Sequence, residues 1–403
     1  MLLAHILELL TTLLTLAGAV YGVLALLGAR SFVYAQRPST GFTPPVSILK
    51  PVKGAEPHLY AAFASHCVQR YAGEVELLFG VSSLEDAAVA EIARLRVEFP
   101  RMTIRLVECP LRLGASGKVS NLVQMLPQAR FEHVVVNDSD ISVGPQYLTR
   151  VMAAFAASGP PTTNPTAQQP TPQPAQTGLV TVPYIGIAEG TLWSRLEALG
   201  ISTEFFAGVL TARFLEGGIR FGLGSTLATT KSALAQIGGF EALLDQLADD
   251  YEIGARLAAA GYRVELVDEV VSTTVPAYTL RSFADHQLRW ARSTRDSRPW
   301  GYAGLGVTYL LPWAMATVIA SGASLWSFTL LTLALLLRVA VALTTGVGIL
   351  HDGQVLRDIL LLPLRDGFGL FFWAWSYASD EVVWRGERFT LRRGRMGKSE
   401  QNN

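Results

Sequence analysis

The chain has 403 residues, half of them hydrophobic, with 33 basic and 33 acidic side chains and a formal net charge of zero. That balance excludes the basic footprint of a nucleic-acid binder, while the apolar share exceeds what one soluble core needs and points to membrane segments. Two cysteines, Cys67 and Cys109, are too few for a disulfide framework and have no metal-ligand spacing, which fits a reducing compartment.

Residues 2–29 are almost continuously apolar, interrupted by His5 and Glu8, and roughly 20 such residues cross a bilayer. Arg30 and Arg37 follow the run and no Lys or Arg precedes it, so residues 1–30 read as an anchor with its carboxyl end in the cytoplasm, not as a cleaved signal. Residues 44–275 then alternate between strand and helix patterns. "VSILKPV", "VELLFGVS", "TIRLVE" and "HVVVND" are strand-like, and "AAVAEIARLRVEF" carries apolar residues at helical spacing. Such alternation predicts an α/β domain with a mostly parallel sheet covered by helices. Within it, residues 158–178 are rich in Pro, Thr and Gln, cannot repay the entropy of ordering, and read as a disordered insert.

The strand "VVV" at 134–136 ends abruptly in Asp138 and Asp140. Ligands in open α/β sheets bind beyond the carboxyl ends of strands. Two carboxylates one residue apart repel each other, so a positive charge is expected between them, either a hard divalent cation on oxygen ligands or, more plainly, nothing beyond a helix-capping turn. Asp86 follows another strand, where it would accept hydrogen bonds from a base or ribose, or cap the helix beginning near residue 87. Asp249 and Asp250 open the helical stretch "DDYEIGARLAAAGY"; acids in a first turn are ordinary, because they complement the dipole.

Past the α/β region, residues 276–300 include "HQLRWARSTR", which places Arg289, Arg292 and Arg295 on one helical face beside Trp290. This reads as an amphipathic segment at the membrane surface whose arginines also suit a diphosphate. Residues 301–350 hold two apolar runs that leave and re-enter the cytoplasm, with Arg338 inside the second demanding a partner or a polar cavity. Residues 351–403 contain a shorter apolar stretch, 359–377, broken by Pro363, Arg365 and Asp366. It reads as interfacial or re-entrant, with a basic cytoplasmic tail after it.

Taken together, the early acid, the Asp-x-Asp, the acidic pair after "IGGF" and the Arg-Trp motif resemble the inverting GT-A glycosyltransferases. More closely, "SILKPVKGAEP", "GKVSNLVQMLP", "NDSDISVGPQYL" and "LADDYEIG" are similar to the ceramide glucosyltransferase family, and within it to bacterial hopanoid-biosynthesis glycosyltransferases. The resemblance implies a GT-A, Rossmann-like domain between membrane helices, in a multi-pass protein of the inner membrane with its catalytic side in the cytoplasm. It implies that Asp86 reads uridine, that Asp138 and Asp140 hold Mg²⁺ or Mn²⁺ and the diphosphate, and that Asp250 is the catalytic base. Lys118 and Asn121 match the donor-binding segment, and Arg289 and Trp290 match the closing motif, with Arg289 a diphosphate ligand. His286 stands where polysaccharide synthases have Gln, and "SSLEDAA" lacks the usual additional Asp and Pro around the early acid.

The expected reaction transfers N-acetylglucosamine from a UDP-sugar to a membrane lipid, a hopanoid polyol. Glucose transfer to ceramide is the alternative. A processive polysaccharide synthase shares the Arg-Trp motif but needs more membrane helices than these. A non-catalytic scaffold has no reason to keep every candidate acid.

Overall fold

The computed structural model describes residues 2–35, 41–54, 56–156, 176–384, 387–392 and 394–398. These divide into two units by contact: one of residues 36–184 and 219–274, the other of residues 1–35, 185–218 and 275–403. The expected catalytic region, 44–275, is therefore not one body, since residues 185–218 group with the helical unit.

In the first unit the four apolar runs become β1 (Val46–Pro51), β2 (Val75–Val81), β3 (Thr103–Glu108) and β4 (His133–Val136). They are joined by β5 (Thr177–Thr181); β6 (Tyr184–Ala188) starts where the unit ends, and β7 (Leu227–Thr230), β8 (Arg263–Leu266) and β9 (Val271–Val275) follow. The central sheet has the order β3-β2-β1-β4-β7-β5-β8. All its pairs are parallel except the two made by β7, which runs antiparallel to β4 and β5. The sheet is thus mostly parallel, as expected, with one reversed strand inside it. Residues 158–175 of the predicted insert lie outside the described residues, and Thr177 and Gly178 already belong to β5.

Alternation decides what each face meets. Ile48, Leu77, Phe79 and Val135 share a core with Phe63, Ile92 and Tyr147 from three helices. On β2, Gly80 has no Cβ, and one there would collide with Met125 of the helix Gly117–Met125. That helix lies close to the sheet for this reason. Ser116 caps it by accepting a hydrogen bond from the Val119 backbone N–H, which fixes where its first turn, bearing Lys118, begins.

The second unit is mainly helical. Leu2–Val33, Leu192–Glu216 and Leu325–Ile349 are each long and apolar enough to cross a membrane. The first and last match the predicted spans. The first of the two apolar runs expected in residues 301–350 is instead two helices, Pro299–Thr308 and Leu310–Ala320, bent by 52°. Leu192–Glu216 was not anticipated as a span, because Arg195, Glu197, Glu204 and Arg213 interrupt its pattern. The stretch 359–377 forms a helix, Leu362–Ser376, of 15 residues, short of a crossing. Part of the expected basic tail folds into an antiparallel sheet of β10 (Glu381–Trp384), β11 (Glu387–Arg392) and β12 (Arg395–Lys398).

Candidate active site

Strand order reverses at β1, which has β2 on one side and β4 on the other, and a ligand crevice is expected beyond the carboxyl ends at such a point. The chain leaves β4 there through Asn137. This side chain is fully buried and donates to Tyr147 Oη at 3.0 Å, Ser225 O at 2.8 Å and Thr226 Oγ1 at 3.0 Å. Its backbone N–H continues the ladder to Leu49 O at 3.2 Å. The residue before the Asp-Ser-Asp turn is thereby locked, and the turn begins from a rigid base.

Asp138 and Lys118 meet at 2.8 Å, and the same ammonium lies 3.2 Å from Asp249. The positive charge expected near the Asp-x-Asp is therefore supplied in part by the chain. Burial disfavours the Lys118 cation, but Asp138 and Asp249 outweigh it and hold its pKa above the ordinary value. Asp250, one residue on, turns elsewhere: its Oδ1 accepts from the Tyr251 N–H at 2.8 Å. A Cβ on Gly224 would stand 3.0 Å from Asp250 Oδ2 and 3.9 Å from Asp138 Oδ2, so both oxygens border one small space that only glycine leaves open. Burial, then the adjacent Asp249 charge, raises the Asp250 carboxyl to about 6, with Lys118 opposing.

Asp140 accepts a short hydrogen bond from the Thr273 hydroxyl, and burial raises its pKa above the usual carboxylate value against that bond. Beneath the turn lies Lys50, fully buried, donating to Asp138 O at 3.0 Å and Ile141 O at 3.3 Å. Burial pulls its pKa down to about 7, with Asp140 and Asp138 opposing. The buried His66 imidazole nearby is held well below its ordinary value by burial and then by Lys50. Lys50, Asn137, Thr273 and Gly224 were not singled out in the sequence. The one available signal was a lysine inside an apolar strand.

Two other expected residues have structural duties. Asp86 accepts from the Gly54 N–H with both oxygens, each at 3.0 Å, and from the Ala88 N–H at 2.9 Å, so it ties one loop to the helix it precedes. Asn121 is buried, accepting from Ser82 Oγ at 3.3 Å and donating to Gly80 O at 3.4 Å. Arg289 and Trp290 belong to the helical unit, on the helix Leu280–Ser297. Trp290 packs its ring 5.1 Å from His286 and 6.0 Å from Phe205. Arg295 bonds Ser376 O and Asp380, and Arg292 bonds Glu381 O. Arg292 and Arg295, expected to face lipid, thus take protein partners.

Asp138 and Asp140 are oxygen donors of the kind Mg²⁺ and Mn²⁺ prefer, and they fit such an ion. Among the described residues no group of three His, Cys, Asp or Glu side chains is placed to hold a metal.

A model of glycosyl transferase family 21 matches residues 10–396. The chain is 24% identical over 249 residues to Ceramide glucosyltransferase 1 of Caenorhabditis elegans, covering 62% of this chain and 49% of that protein. It is 25% identical over 250 residues to Ceramide glucosyltransferase 3 of the same organism, covering 62% and 50%. The chain spans about half the length of the curated relatives it matches. Among solved structures, the mannosyltransferase PcManGT from Pyrobaculum calidifontis in complex with GDP-Man and Mn²⁺ superposes with a TM-score of 0.51 at 19% identity, covering 92% of this chain and 97% of that one. The fold is accordingly of the GT-A type.

Proposed function

The chain belongs to glycosyl transferase family 21, and from that premise we propose that it is a membrane-bound inverting glycosyltransferase acting from a UDP-sugar onto a lipid hydroxyl. The donor sugar is N-acetylglucosamine and the acceptor a hopanoid polyol, in an inner membrane with the sheet unit in the cytoplasm. The observation that supports this best is the meeting of Asp138, Lys118, Asp249 and Asp250 at the carboxyl edge of the sheet.

A sugar leaving a nucleoside diphosphate develops positive charge at its anomeric carbon and negative charge on the departing phosphate. Asp138 and Asp140 would hold a divalent cation, which when bound supplies charge neutralisation at that phosphate. Lys118 adds a fixed positive charge beside Asp138. Asp250 takes the proton of the attacking hydroxyl, and its raised pKa suits a base working near neutrality. One displacement on the face opposite the leaving group inverts the anomeric centre. Asp86 reads the uridine with lone pairs left beyond its backbone bonds, Asn121 shapes the donor segment, and Arg289 and Trp290 take the diphosphate-closing role that the family motif implies.

The test is incubation of the detergent-purified protein with radiolabelled UDP-sugars and a panel of hopanoid polyols, ceramides and diacylglycerol. Label in a hopanoid from UDP-N-acetylglucosamine is the expected outcome. Label in ceramide from UDP-glucose supports the second reading, which the two ceramide glucosyltransferase relatives favour. Polymer without labelled lipid would replace both with a polysaccharide synthase. EDTA, Asp138→Ala and Asp140→Ala should each abolish most turnover; full activity after all three would remove the metal from the mechanism.

A further inference from the structure

Resting on that reading, we propose that Lys50 is a positioning residue for the metal–diphosphate subsite: its ammonium ties the turn of residues 138–141 to β1 and sets where the two aspartates point. A lysine is almost never fully buried unless paired, because removing its charge from water costs several kcal/mol. Lys50 has no measurable exposure, and it directs its ammonium to the backbone carbonyls of Asp138 and Ile141 at 3.0 and 3.3 Å. These carbonyls bracket the Asp-Ser-Asp turn. The first also accepts the turn's own hydrogen bond, from the Ile141 N–H at 3.3 Å.

Register explains how a strand residue reaches a turn. The β1–β4 ladder ends at Leu49 opposite Val136, while β1 continues to Pro51 against β2. Lys50 is thus the first β1 residue past the end of β4, on the side from which the chain turns away. Its side chain points to the same face as Ile48, toward Phe63, whose ring centroid lies 6.0 Å from Nζ. A leucine there would fill the space without any desolvation cost, but it would give the turn neither donors nor a cation beneath two like charges. Fixing those carboxylates in advance lowers the cost of gathering them around an ion.

The experiment uses the full chain in detergent, wild type beside Lys50→Met and Lys50→Gln. UDP affinity is measured calorimetrically across a Mn²⁺ titration, with Tm recorded in parallel. Lys50→Met should weaken Mn²⁺-dependent UDP binding about 10–100-fold and raise the Mn²⁺ half-saturation, the scale seen when groups behind metal ligands are removed. Lys50→Gln, still able to donate to one carbonyl, should recover part of that loss. A merely structural lysine would lower Tm and leave both binding constants of the folded protein unchanged, and that result overturns the proposal. Should Lys50→Met accumulate poorly, the Mn²⁺ half-saturation of its residual turnover in membranes decides, since it does not depend on how much protein folds; a wild-type value again overturns the proposal. Wild-type protein that binds no UDP with or without Mn²⁺ sinks the glycosyltransferase reading itself, and the role of Lys50 with it.

Discussion

In the helical unit, Arg338 meets both oxygens of Asp366 through Nε, at 3.1 and 2.9 Å, and donates through Nη1 to Thr203 O at 3.1 Å. Arg365 likewise reaches Glu204 at 3.0 Å and Gln287 Oε1 at 3.0 Å. At the edge of the sheet unit the pattern differs: the lysines bind from beneath and beside, and Asp138 Oδ2 and Asp250 Oδ2 still border the space that Gly224 leaves open. Buried charge in the first case closes a bundle. In the second it leaves two carboxylate oxygens facing one open space. The difference gives each set of residues its own signature under mutation, stability for one and chemistry for the other.

The largest effect should fall on chemistry. Asp250→Asn keeps the size of the side chain but cannot accept a proton, so kcat should drop by roughly 10² to 10⁴ with UDP affinity nearly unchanged and no loss of Tm. Asp249→Asn, whose carboxylate faces Lys118, should slow the chemical step less. Single-turnover rates beside donor affinities for the two variants check this. A normal rate in Asp250→Asn would break the comparison at its centre.

Asp366→Ala should do the reverse. It strands a buried guanidinium, which typically costs about 3–5 kcal/mol, so Tm in detergent should fall while the folded fraction keeps its kcat. Replacing both partners, as Arg338→Met with Asp366→Leu, should restore much of the stability, because the pair exists to neutralise itself. If Asp366→Ala instead lowered kcat at unchanged Tm, the helical charges would belong to the reaction.

A smaller effect comes from pH. Asp250 must be ionised to act as a base and its carboxyl is raised to about 6, so kcat/KM should fall about ten-fold per unit below that value and level off above it. The sign for folding is opposite. The native state holds this proton more tightly than the unfolded chain, so the contribution favouring the fold is present at low pH and lost as pH rises from about 4 towards 6. A stability gain on acidification paired with a rate loss, both absent in Asp250→Asn, is the expected result.

How much of this was legible depended on the distance between partners. The runs that became β1 to β4 and the acidic pairs at 138–140 and 249–250 carry local signals, an apolar block followed by carboxylates. Lys50 stands unmarked inside the strand-like "VSILKPV", since its acceptors lie 88 and 91 residues onward and no periodicity reveals them. Leu192–Glu216 was hidden as a span for the same reason. Its Arg195 is matched by Asp358, its Glu197 by His286 and its Glu204 by Arg365, all far along the chain. The reversed strand β7 carries only "LATT", too short and polar a run to declare its direction.

The smallest predicted effect tests whether pairing alone marks a residue as important. Asp358, almost fully buried, is held from two sides: Arg195 Nε at 2.9 Å from within the helical unit, and Arg357 Nη2 at 2.7 Å from a side chain 54% exposed. Arg357→Ala removes an exposed partner and leaves Arg195 in place, so Asp358 is not stranded. The loss should be about 0–1 kcal/mol, the range of surface pairs, with kcat unchanged. Arg195→Ala removes the more buried partner and should lower Tm further. Equal losses from the two would mean that exposure does not grade these contacts, and that the division between charges that close the bundle and charges left open at the sheet edge needs a different basis.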